Sequence, residues 1–97
     1  TGGGLTENIP RILKKGLIAN IDLYSWEFPK AFQWLQEKGK ISESDMLRIF
    51  NCGIGMVCIL EKAEVPKAKK ILLAHKLRTF EIGSIIEGDL EEQIQYN

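Results

Sequence analysis

Phe50-Asn51-Cys52-Gly53-Ile54-Gly55-Met56 runs on directly into Val57-Cys58-Ile59-Leu60. Asn followed by closely spaced glycines marks a tight turn. The residues from Ile54 to Leu60 are apolar without alternation, the pattern of a central strand covered on both faces, and this places Cys58 in the core. Upstream, Ser42 followed three residues later by Asp45 is an N-cap arrangement, and Met46, Leu47 and Phe50 supply an apolar stripe. A helix therefore delivers Asn51 and its glycines to the turn.

Further upstream, Leu5 to Leu13 reads as a short helix broken by Pro10 and ended by Lys14-Lys15-Gly16. Leu17 to Leu23 alternates, with Leu17, Ala19, Ile21 and Leu23 on one face of a strand and Ile18, Asn20 and Asp22 on the other. Phe28, Ala31, Phe32 and Leu35 recur at helical spacing and predict a helix over 29–38, with Gly39 past its end. Trp34 lies off that stripe and reads as core, the competing readings being a second packing surface or a subunit contact.

Downstream, Val65, Ala68, Ile71, Leu72 and His75 mark another amphipathic helix, with Pro66 in its first turn and Lys67, Lys69, Lys70 and Lys76 facing water. Phe80 to Ile86 reads as a strand presenting Phe80, Ile82, Ser84 and Ile86 on one face. Glu87-Gly88-Asp89 turns the chain, and Gln93 to Tyr96 pairs back as an edge strand. The expected fold class is α+β, a mixed sheet layered with helices.

The 97 residues make one domain, and 13 Lys and Arg against 13 Asp and Glu leave no net charge. No global field recruits nucleic acid or an anionic membrane, so a preference for phosphate must come from local geometry. Cys52 and Cys58 read as free thiols, which fit a reducing cytosol. The longest apolar run is far too short to span a bilayer.

The amino end, Thr1-Gly2-Gly3-Gly4-Leu5-Thr6-Glu7-Asn8-Ile9-Pro10-Arg11, carries the strongest ligand signal. Three glycines can present successive amides to an anion at a helix start, although a glycine run at a chain end also reads as a linker. Asn8 and Arg11 share one face of a helical turn beside them. Arg11 reads equally as a phosphate clamp or as a partner of Glu7. Asn51 either lines a pocket or caps the helix before it.

TGGGLTENIPR and FNCGIGM, about 40 residues apart, closely resemble the two signature stretches in the C-terminal domain of phosphoribosylformylglycinamidine cyclo-ligase, also called aminoimidazole ribonucleotide synthetase. The likeness continues through Asp22, Trp26, Pro29, Phe32 to Leu35 and Ile82-Gly83. It implies a partly ferredoxin-like layered α+β fold. It also implies that the chain is the C-terminal domain of a larger enzyme, whose ATP-binding domain precedes a short strand ending in Ala-His-Ile before TGGG.

The resemblance further implies ATP-dependent closure of formylglycinamidine ribonucleotide to aminoimidazole ribonucleotide, a step of purine biosynthesis, in a cytoplasmic homodimer. ATP phosphorylates the formyl oxygen, the amidine nitrogen attacks that carbon, and phosphate leaves as the imidazole closes. ATP, Mg2+ and the metal-binding carboxylates would belong to the N-terminal domain, and the fragment alone would be inactive. The competing reading is a non-catalytic binding or dimerisation module related to formylglycinamidine ribonucleotide synthetase or selenophosphate synthetase.

The candidate substrate- or phosphate-binding residues are Thr1, Gly2, Gly3, Gly4, Asn8, Arg11, Asn51 and Gly53, with no catalytic residue assigned. The resemblance tips Asn8 and Arg11 toward the ligand. Gly3→Val is expected to cripple turnover of the intact enzyme while leaving the fold intact. His75, the only histidine, reads as structural, and no metal site is assigned. Cys52 reads as packing rather than as a nucleophile, since no base accompanies it.

Overall fold

A computed structural model describes residues 2–97. In chain order the elements are helix α1 (Gly4–Asn8) continued by a 3-10 turn (Ile9–Ile12), strand β1 (Leu17–Ile21), helices α2 (Lys30–Gly39) and α3 (Glu43–Ile49), a 3-10 turn (Lys62–Glu64) leading into helix α4 (Val65–Ala74), and strands β2 (Gly83–Glu87) and β3 (Ile94–Tyr96). The fold class is α+β with a mixed sheet: β1 is central, antiparallel to β2 and parallel to β3.

The alternation of β1 translates directly into packing. Ala19 and Ile21 enter the core, Leu23 packs on it, and Ile18 is buried on the opposite side. Across the ladder Ile94 and Tyr96 stand opposite Ala19 and Ile21, so both face inward. On the outer side Asn20 Oδ1 accepts hydrogen bonds from the side-chain amides of Gln95 and Asn97. Regular strand ends at Ile21 because the Asp22 carboxylate accepts from the Tyr24 amide at 2.9 Å and its carbonyl from Ser25, bending the chain.

Helix α3 begins as the sequence indicates, with Ser42 Oγ accepting from the Asp45 amide at 3.2 Å. It buries Met46 and Leu47 against Leu5 and Ile9 from the amino-terminal segment, Trp26, Cys52 and the inner face of the sheet. Trp26 serves this core twice: its ring packs, and its Nε1–H donates to the Cys52 carbonyl at 3.0 Å. The core thus lies between the sheet and the α1–α3 pair.

Four expectations are corrected. Residues 54–60 form no strand, and Cys58 is exposed rather than core. Both edges of β1 are taken by β2 and β3, so among the described residues no edge of that central strand is left for this run. Trp34 is 59% exposed, and α2 buries no residue, leaving that side chain outside the core. Strand β2 starts at Gly83 and pairs Ile85 with Ala19, so Ile85 faces inward while Ser84 and Ile86 face outward. The expected start at Phe80 is three residues early; Ser84 and Ile86 share one face as expected. Gly39 closes α2 from within, and Lys40 takes the left-handed cap, with φ 51°.

Candidate functional site

An open groove of about 230 Å³ separates the amino-terminal helical segment from the turn that follows α3. Gly4, Leu5, Asn8, Ile9 and Ile12 form one wall; Asn51, Ile54, Gly55, Met56 and Val57 form the other. Two regions far apart in the sequence meet across this hollow. Of the expected site residues, Gly4, Asn8 and Asn51 line it. Gly2, Gly3, Arg11 and Gly53 lie outside the lining, and Thr1 lies outside the described residues.

The glycine turn has a packing role that its sequence does not reveal. Gly3 has φ 95° and Gly4 φ 55°, conformations costly to residues with a Cβ. Gly4 is buried, and a Cβ there would run into the carbonyl oxygens of Leu47 and Phe50 at the end of α3. The start of α1 therefore abuts the carbonyl end of α3, an arrangement in which opposite helix-end charges meet. A Cβ on Gly3 would strike the Glu7 side chain. Gly3→Val thus strains the fold as well, contrary to the expectation that it spares it.

Asn8 braces this turn. Its Nδ2 donates to the Gly2 carbonyl at 3.0 Å and to the Gly4 carbonyl at 2.7 Å, and among the described residues Oδ1 accepts no hydrogen bond. Arg11 is exposed on the 3-10 turn, and Glu7, its partner in the competing reading, pairs instead with Arg48, which lies 3.5 Å from Glu7 and 2.7 Å from Glu92.

On the opposite wall, Cys52 and Gly53 both have positive φ, and Asn51 Oδ1 accepts from the Gly53 amide at 2.8 Å, closing the turn. Gly53 faces Pro29, where a Cβ would not fit. The Cys52 thiol is fully buried and donates to the Met46 carbonyl at 3.4 Å. Burial, with a smaller contribution from the Glu43 charge, pushes its pKa up to about 11, so no thiolate is available at neutral pH.

Alkaline pH therefore reports on this turn. The thiol of the unfolded chain ionises at its ordinary value of 9.0, while the folded chain keeps its proton until about 11. The folded state then binds more protons, so stability is intact below pH 9 and falls as pH rises through that window, by about 2–3 kcal/mol. Tyr96, raised chiefly by burial and partly restored by its hydrogen bond to Thr6, acts in the same direction at higher pH. Urea midpoints measured from pH 7 to 11 should decline more steeply for the wild type than for Cys52→Ala. Parallel slopes would assign the decline to other groups.

The apolar majority of the groove, Leu5, Ile9, Ile12, Ile54, Met56 and Val57, was not anticipated as site. Its signal was available, since these residues flank the two motifs directly. His75 follows α4 as its exposed C-cap, and among the described residues no cluster of three His, Cys, Asp or Glu side chains forms. Among the described residues no helix is long and apolar enough to cross a membrane.

A family model described as AIR synthase related protein, C-terminal domain, matches residues 1–95. The chain belongs to this family. Among curated relatives of this AIR synthase related C-terminal domain, the phosphoribosylformylglycinamidine cyclo-ligase of Methylobacillus flagellatus is 52% identical over 85 residues, 88% of the chain and 25% of the relative. That of Lawsonia intracellularis is 45% identical over 95 residues, 97% of the chain and 27% of the relative. The Neisseria gonorrhoeae cyclo-ligase is 46% identical over 87 residues, 90% of the chain and 25% of the relative. The chain thus spans about a quarter of the length of the relatives it matches.

Proposed function

We propose that this chain forms one wall of the active-site cleft of a phosphoribosylformylglycinamidine cyclo-ligase, as the C-terminal domain of a longer enzyme acting in purine biosynthesis. The observation that carries this reading is the shared groove: the two signature stretches line it from opposite sides. Its apolar floor excludes water from the ribonucleotide, while Asn8 Oδ1 and the Asn51 side chain offer hydrogen bonds to the sugar or amidine. Gly2 and Gly3, next to the lining residue Gly4, and Arg11, next to Ile12, serve the phosphate in this reading.

The groove lining contains no Asp, Glu or His, so these residues do not fit Mg2+ and no step runs through a metal here. ATP and its ion fall to the part of the enzyme outside the chain. Positioning is this wall's contribution to ring closure. The intact enzyme is proposed to be a cytoplasmic homodimer.

Turnover tests the reading. The 97-residue chain should show no cyclisation, whereas the M. flagellatus cyclo-ligase carrying this chain in place of its matched region should convert formylglycinamidine ribonucleotide at a measurable rate. In that chimera Arg11→Ala should lower kcat/KM by about ten- to a hundredfold, as expected for a lost charged hydrogen bond, with an unchanged melting temperature. Cyclisation by the chain alone, or an inactive folded chimera, would sink the proposal; the latter favours a binding or dimerisation module.

A further inference from the structure

Helix α1 contributes Gly4, Leu5 and Asn8 to one wall of the groove, and the 3-10 turn extends that wall with Ile9 and Ile12. Nothing local fixes where this wall stands. A helix of 5 residues cannot hold itself in water, and no side chain caps its amino end. Its position is therefore set by what grips it from other segments. Thr6 and Glu7, between Leu5 and Asn8, are absent from the groove lining and make two of those contacts.

Thr6 is 7% exposed and, among the described residues, is the one buried residue with a hydroxyl, an amide or a charge on its side chain. A helical threonine can turn its hydroxyl back on a carbonyl of the preceding turn. Here Oγ1 instead meets Tyr96 Oη at 2.7 Å, joining residues 90 apart in the chain. Tyr96 is a firm anchor. It pairs with Ile21 in the ladder, and the pairing continues past it, with the Asn97 amide donating to the Ile21 carbonyl and the Leu23 amide to the Asn97 carbonyl. Its side chain packs on the core.

Glu7 is held less firmly. Its ion pair with Arg48 is 3.5 Å long between side chains 48% and 43% exposed, a setting in which such pairs contribute little. The part-buried pair of hydroxyls is the stronger hold on α1.

We propose that Tyr96 is a positioning residue for the groove: through Thr6 it fixes α1, and with it Asn8, the side chain of that wall read as meeting the ribonucleotide. The proposal rests on the cyclo-ligase reading of the groove. Tyr96 lies outside the lining and acts from beyond the helix.

Steady-state kinetics of the M. flagellatus chimera test it. Tyr96→Phe should raise KM for formylglycinamidine ribonucleotide about three- to tenfold, the weight of one hydrogen bond, and leave KM for ATP unchanged. A loss of stability alone would lower the apparent kcat by removing folded enzyme and leave both KM values where they are. Thr6→Val should repeat the effect, the double variant should add nothing further, and Thr6→Ser, which keeps the hydroxyl, should recover most of it. The fold survives these changes because a Thr6 hydroxyl without its partner can turn back on its own helix.

Amide exchange gives a second readout in the 97-residue chain itself. The Glu7 amide, bonded to the Gly3 carbonyl at 3.0 Å, should exchange about three- to tenfold faster in Tyr96→Phe. The Phe50 amide, bonded to the Met46 carbonyl at the end of α3, should keep its rate.

An active Tyr96→Phe chimera with an unchanged KM for formylglycinamidine ribonucleotide would overturn the proposal, as would losses that add in the double variant. So would equal exchange of the Glu7 amide in the wild-type and Tyr96→Phe chains. An inactive folded chimera would sink the catalytic reading, while the exchange result still decides whether Tyr96 holds α1.

Discussion

Gly4→Val is expected to cost about 3–5 kcal/mol and to lower the melting temperature by about 15 °C or more. Two penalties combine at this buried position. A β-branched residue is forced to φ 55°, and its Cβ meets the Leu47 and Phe50 carbonyls, which belong to backbone and cannot rotate away. Helix α1 must then lift off α3, opening the interface that Leu5 and Ile9 share with Met46 and Leu47. Gly2→Val is the control, because a Cβ on Gly2 meets nothing within 4 Å and should be nearly neutral. Thermal unfolding of both variants decides whether Gly4 serves packing. A Gly4→Val chain that melts like wild type while its chimera loses turnover would instead place the glycine in ligand binding alone.

Met46→Ala is expected to destabilise the chain by about 2–5 kcal/mol, the range for emptying a fully buried site. Met46 has no exposed surface and stands between the amino-terminal helix and the turn at Cys52. Its backbone carbonyl still receives the Cys52 thiol, so the loss comes from packing rather than from that hydrogen bond. The urea midpoint should fall with an unchanged slope, the signature of altered stability without altered compactness. Leu35→Ala, at a half-buried position of the largely exposed α2, should cost clearly less. Equal losses at the two positions would mean that the core does not centre on α3.

Local chemistry made much of this architecture legible. The Ser42 cap, the strand alternation from Leu17 and the proline-broken first helix depend on neighbours within a few residues, and each stands where the sequence indicates. The start of β2 at Gly83 rather than Phe80 does not, because it is set by the pairing with β1. The exposure of Trp34 likewise depends on what packs against α2, a fact absent from its helical spacing. Within the groove, Asn8 and Asn51 could be singled out by motif, whereas the apolar lining became visible only when both walls were in place.

By itself the sequence determined the family, through the resemblance carried by TGGGLTENIPR and FNCGIGM, and the α+β class and approximate helix positions, because caps, prolines and periodicity act over short range. Only the tertiary structure decided that Gly4 packs against α3, that Asn8 holds the glycine turn, and that Ile54–Leu60 is left without a sheet. The reason is physical: a strand is defined by hydrogen bonds to other segments, and a glycine's close neighbour is identified only after folding brings it there.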